Sequence, residues 1–257
     1  MDIDYLSVSR KQCWDTCELQ YKYKYHLKLI SEKPQQIFFT YGQVIHKAAE
    51  LFVGSKGSKN IDYFIKEILT GNISLDRFKP ANKIYLPPPY FDKISKHIRN
   101  LSKITEFLGF DGETEFEFQH DLNPPNNLIL KGYIDRLLKK NDKFFVIDYK
   151  TTKPGPFRKD KNTIKKDLQM QSYSLVVRDK FNIEGQKIVL ALFYLDDGKM
   201  ISVSFDDKTL DECKKTLLNT FETIKNKDPE HARPNVGNHC RFCDYSDICP
   251  YYKKSKK

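Results

Sequence analysis

The chain has 257 residues, 39% hydrophobic and 30% charged, which suits one large folded domain or two small ones and argues against disorder. Its 44 basic and 34 acidic residues leave a net charge of +10, an excess that favours a polyanionic partner such as nucleic acid. There is no run of about 18 apolar residues, and Met1-Asp2-Ile3-Asp4 is acidic without a signal-peptide pattern, so no membrane partner and an intracellular, cytoplasmic location are expected.

In chain order, an aromatic-rich helix is expected over residues 10–29, with Ser9 as its N-cap. A second helix runs from Gly42 to Phe52, where Val44, Ile45, Ala48, Leu51 and Phe52 make a core-facing stripe. Residues 54–60 form a loop whose glycines lack P-loop spacing. Residues 61–110 read as an inserted helical lobe, broken by Pro80 and Pro87-Pro88-Pro89. Strands follow at 113–119, 128–138 and 143–149, a helix at 168–181, strands at 188–195 and 200–205 around Asp196-Asp197-Gly198, and a closing helix at 209–225. The lysine tail from Lys253 reads as a frayed end. This order of elements predicts an α/β fold with a mixed central sheet flanked by helices.

The chemistry concentrates in the hairpin of the second and third strands. A turn centred between Asn141 and Asp142 places Asp135 opposite Asp148, at about 4.5–5.5 Å between Cβ atoms. That separation lets two carboxylates share one divalent metal. Lys150 is two residues past Asp148 and points to the same face. Mg²⁺ and Mn²⁺ take oxygen ligands, and Mn²⁺ also accepts imidazole. Such a metal polarises a phosphate and acidifies bound water, and a neighbouring lysine can orient that water. A solvated salt bridge is the plain alternative. Against it, Asp148 ends the apolar run Phe144-Phe145-Val146-Ile147, where a solvent-facing acid is out of place. His46 and Glu50 share one helix face, as do Gln169 and Tyr173. Lys150–Lys166 is rich in Lys and Arg, where a phosphate backbone could pass.

Six cysteines in an intracellular chain favour metal binding over disulfides. Cys240-x2-Cys243 forms a knuckle and Cys249 a third thiolate. Cys13 and Cys17 are both candidates for the fourth, with His239 a substitute; zinc and an iron–sulfur cluster both suit four thiolates.

The succession Gly42-xxx-His46, Gly132-Tyr-Ile-Asp135, Val146-Ile-Asp148-Tyr149-Lys150-Thr151, Gln169-xxx-Tyr173 and Cys-x2-Cys-x5-Cys resembles the RecB-like branch of the PD-(D/E)XK nucleases, across nearly the whole chain. Its pattern is similar to AddB-type nuclease domains and to the CRISPR-associated adaptation nucleases. The resemblance implies one restriction-endonuclease-like nuclease domain over 1–257. In it His46, Asp135, Asp148 and the Tyr149 carbonyl would bind Mg or Mn, and Lys150 would be catalytic. Gln169 and Tyr173 would contact the DNA strand and support the site. Here Asp148 stands where Glu is commoner in the family. The resemblance selects Cys17, with Cys240, Cys243 and Cys249, as ligands of a structural [4Fe-4S] cluster. That cluster would join segment 233–250 to the helix at 10–29. The implied activity is an exonuclease on single-stranded or frayed DNA ends, in recombination, repair or genome processing. The chain carries no Walker motif, so a helicase, recombination or adaptation protein would be a separate partner. The alternatives are a partner-dependent CRISPR adaptation subunit, an endonuclease or flap nuclease, and a zinc-type nucleic-acid-binding module without activity.

Overall fold

The computed structural model describes every residue except Asp2, Glu32, Pro34, Arg77, Phe78 and residues 255–257, and leaves out the side chains of Pro125, Lys253 and Lys254. The end of the lysine tail therefore lies outside the described residues. The chain forms two compact units, one of Met1–Pro34, Phe118–Gly132 and Asp211–Lys257, the other of Gln35–Glu117 and Tyr133–Leu210.

In the first unit, α1 spans Val8–Thr16 and is capped by Ser7, whose hydroxyl accepts from the Arg10 N–H at 3.2 Å; Ser9, the expected cap, lies inside the helix. The helix expected over 10–29 is also interrupted. Cys17 has extended backbone (φ −167°, ψ 114°), and the chain resumes as α2 (Glu18–Tyr21) and a π-helical turn (Lys22–His26). The break has a cause far along the chain. Asn235 donates its side-chain N–H to the Thr16 carbonyl at 2.8 Å, and its backbone N–H points at the Cys17 sulfur at 3.4 Å. Glu18 sits between Arg233 (2.9 Å) and Lys227 (2.7 Å), fastening this segment to the chain's far end.

In the second unit, α3 (Ile37–Gly54) is longer than its periodicity predicts and buries Tyr41, Val44, Ile45, Ala48, Ala49 and Phe52. Helix α4 (Ile61–Thr70) starts at Asn60, whose side chain accepts from the Tyr63 N–H at 2.8 Å, and stops at Gly71, where φ is +79°. The proline run does not end a helix but begins one, α5 (Pro88–Leu108), because a first-turn proline sacrifices no intrahelical bond. These three helices share one apolar cluster with Leu138, Ile147, Tyr149 and Phe193 of the sheet.

The sheet has five strands in the order β1 (Glu113–Asp121), β2 (Ile129–Lys140), β3 (Lys143–Lys150), β4 (Ile188–Tyr194), β5 (Lys199–Val203). Pairs β2/β3 and β4/β5 are antiparallel and β3/β4 is parallel, so the sheet is mixed, as expected. A parallel pair needs a crossover. It is supplied by α6 (Lys161–Lys165) and α7 (Leu168–Phe181), the latter nearly covered along its length and capped by Asp167. Helix α8 (Asp207–Lys225) and the short α9 (Pro250–Lys254) follow. Among the described residues no helix is long and apolar enough to cross a membrane.

Candidate active site

The β2/β3 ladder runs from Lys140↔Lys143 to Arg136↔Ile147, which is the register that sets Asp135 across from Asp148. Asp135 lies one residue beyond the last pair. There its carboxylate, not its backbone, takes up the Tyr149 N–H at 2.7 Å, so the strands part where the acids begin. The other edge of β3 stays paired through Lys150, whose carbonyl accepts from the Leu195 N–H at 2.8 Å. Lys150 is thus held at the end of a paired strand, facing the opening.

His46 projects from α3, with Nδ1 3.3 Å from an Asp135 oxygen. Glu115 of β1 joins them: one ligand atom from each of His46, Glu115 and Asp135 lies within 4.8 Å of the others. Glu115 is absent from the sequence-based candidates. Glu113, Glu115 and Glu117 alternate along one strand and look alike in sequence. Only Glu115 has a positive φ, +48°, a conformation uncommon outside glycine and concentrated at functional sites. Asp148 is 3% exposed and lies 2.6 Å from the Lys150 ammonium. Glu50, from the same helix face as His46, pairs with Lys47 at 2.7 Å. Gln169 donates to the Tyr173 hydroxyl at 2.8 Å, and Tyr173 is buried. Tyr149 packs its ring in the core and meets the site through its backbone. In the basic stretch after Lys150, Arg158 pairs with Asp197 at 2.7 Å and Lys159 with Asp167, so those two cations are committed within the fold.

The electrostatics follow from crowding charge into a half-buried site. Burial alone would lower the His46 imidazole, but the Asp135 carboxylate outweighs it and raises the pKa to about 9. Burial disfavours ionised Asp135, yet His46 and the Tyr149 N–H reverse the balance and hold it below the usual carboxylate range. Asp148 is raised, by burial and by the Asp135 charge, against the pull of Lys150. Glu115 is raised to about 7 by burial and then by Asp135. Tyr173 is raised as well, by burial and by the Asp148 and Asp135 charges, so its phenol stays neutral. Excess negative charge held out of water is what a divalent cation relieves. The donor set, one imidazole and carboxylate oxygens, suits Mn²⁺ and Mg²⁺. His46, Asp135, Glu115 and Lys150 line an open cleft of about 1030 Å³.

Carboxylates and an imidazole converging where a hairpin opens, with a lysine beside them, place the protein among nucleases that work with a divalent metal. The PD-(D/E)XK nuclease superfamily model matches residues 5–250, and the chain belongs to that superfamily. The fold is similar to the crystal structure of a candidate exonuclease from Eubacterium rectale, at 15% identity, covering 93% of this chain and 88% of that one with a TM-score of 0.55. The structure of SSO0001 aligns at 18% identity over 91% of this chain and 95% of that one, but its TM-score of 0.37 is too low to carry an argument. No curated protein matches the chain by sequence.

Proposed function

We propose that this nuclease is an exonuclease that hydrolyses phosphodiester bonds at single-stranded or frayed DNA ends, in recombination, repair or genome processing. The observation that carries the reading is the convergence of His46, Glu115 and Asp135, beside the Asp148–Lys150 pair, in an open cleft. His46, Asp135, Asp148, Glu115 and the Tyr149 carbonyl would hold Mg or Mn. Such an ion, when bound, polarises a phosphodiester and lowers the pKa of bound water. Lys150 then supplies positive charge beside the scissile phosphate and a donor that orients the attacking water. Gln169 and Tyr173, joined by their mutual hydrogen bond, would contact the DNA strand and support the site. The name of the Eubacterium rectale protein agrees with an exonuclease.

Cys17, Cys240, Cys243 and Cys249 line one cavity of the first unit, and Cys13 does not. Backbone N–H groups point at two of these sulfurs, Asn235 at Cys17 and Gly237 at Cys240 (3.5 Å). His239 turns a ring nitrogen to the Asn235 carbonyl at 2.8 Å. The shared cavity supports these four cysteines as ligands of one metal centre; the resemblance to the RecB-like branch is what favours a structural [4Fe-4S] cluster over zinc.

Digestion of linear and covalently circular single-stranded DNA in Mn²⁺ tests the activity. The reading predicts that linear strands shorten progressively from an end while circles persist. Circles cut at the same rate as linear strands would make the enzyme an endonuclease.

A further inference from the structure

Helix α3 turns one stripe toward the cleft. Phe39, Gly42, Gln43, His46, Lys47 and Glu50 recur at spacings of three and four, so they share a face, and all line the opening. At the start of this stripe Phe38 and Phe39 are 51% and 58% exposed, with ring centroids 4.3 Å apart. A single exposed phenylalanine needs no explanation. Two in contact, their planes tilted by 39°, both lining the cleft that holds the candidate metal ligands, present an apolar surface that the fold itself leaves half exposed.

Gly42 lies between the aromatic pair and His46. A Cβ added there would meet nothing within 4 Å, so packing inside the protein does not require glycine. Glycine within a helix is less stable than alanine. The cost therefore leaves bare backbone facing the cleft and room for something arriving from outside. Seven residues of helix separate Phe39 from His46, about 10.5 Å along the axis. That is about three nucleotides at the ~3.4 Å spacing of stacked bases.

We propose that Phe38 and Phe39 form a stacking platform for unpaired bases of the substrate strand, whose backbone then crosses Gly42 to reach His46 and Asp135. Every base has a π-face, so aromatic platforms grip single strands without reading sequence. In a duplex those faces are covered by neighbouring base pairs, so the platform selects unpaired strand about three nucleotides from the site of cleavage. The occupant is a nucleic-acid strand rather than a protein because the apolar surface is two rings wide and continues directly into the polar, ligand-bearing floor. This proposal rests on reading the cleft as a nuclease site, and the experiment separates the two.

The probe is a single-stranded oligonucleotide carrying 2-aminopurine, bound to the full chain in chelator so that no cleavage occurs. Wild type should quench the fluorophore when it sits over the platform. The Phe38→Ala/Phe39→Ala variant should lose the quenching and bind about tenfold more weakly, with an unchanged melting temperature because both rings are exposed. Gly42→Leu should also weaken binding, while keeping or raising helix stability. In Mn²⁺ the alanine variant should raise KM for single strands, and an abasic substrate should erase the difference between it and wild type. Equal quenching, affinity and KM in wild type and the alanine variant would overturn the platform even if both cleave. Loss of a dimer in that variant, with DNA binding intact, would assign the rings to a second copy instead. Wild type that quenches but never cleaves would keep the platform and remove the nuclease reading.

Discussion

Replacing Lys150 with Met strands a buried charge. The Asp148 carboxylate is 3% exposed and its counter-charge is the ammonium 2.6 Å away. Removing one member of a buried pair costs about 3–5 kcal/mol, because the other charge stays out of water unpaired. The Lys150 side chain is 28% exposed, so solvent reaches part of the gap and the expected loss, without metal near pH 7.5, is about 2–3 kcal/mol. The pH dependence has a definite sign. Asp148 has a folded pKa above its ordinary value of 3.8, so between 3.8 and that folded pKa the native state holds a proton that the unfolded state has already released, and above it the carboxylate is charged in both states. Its contribution therefore turns unfavourable as pH rises past 3.8. Without Lys150 the folded pKa rises further, so the deficit of the variant shrinks toward acid pH. Urea midpoints in chelator, at two pH values, measure this for wild type, Lys150→Met, Asp148→Asn and the double variant. The double variant should recover at least half of the loss. A deficit below about 1 kcal/mol, independent of pH and additive in the double variant, would refute the coupling.

Gly112 has φ +95°, and a Cβ there would clash with the Leu137 carbonyl oxygen, so Gly112→Ala should destabilise by about 2–4 kcal/mol in urea unfolding. Glu18 is held down to about pKa 2 by Arg233 and Lys227, which together overcome its burial. Glu18→Gln should cost about 1 kcal/mol at neutral pH, allowing for solvent screening, and the cost should fade as pH drops from about 4.5 to about 2. Saturating Mn²⁺ at 100 times its Kd should stabilise wild type by about 2.7 kcal/mol, and Asp135→Asn or Glu115→Gln should lose most of that shift in thermal melts. Protein purified without oxygen should show visible charge-transfer absorption that Cys240→Ser abolishes and Cys13→Ser retains.

The acidic hairpin was legible in the amino acids because two local rules agree there. A two-residue turn at Asn141-Asp142 sets the register, and period-two alternation sets the face. The helix expected over 168–181 matches α7, Leu168–Phe181. Glu115 was not, because its selection over Glu113 and Glu117 depends on a positive φ and on the approach of His46 from a separate helix. The break at Cys17 was hidden for a similar reason. Asn235, 218 residues away, supplies the hydrogen bond that ends α1. The expected break across Pro80 and the proline run is present, α4 ending at Thr70 and α5 starting at Pro88, since proline interrupts a helix interior but opens a first turn.

Cleavage of end-labelled, linear single-stranded DNA in Mn²⁺, comparing wild type with Asp148→Ala and Lys150→Ala purified without oxygen, tests the central claim most directly. The account predicts metal-dependent shortening by wild type that both substitutions abolish, with the surviving label reporting polarity. A folded wild type that binds the strand and leaves it intact, or variants that cut as fast as wild type, would contradict it.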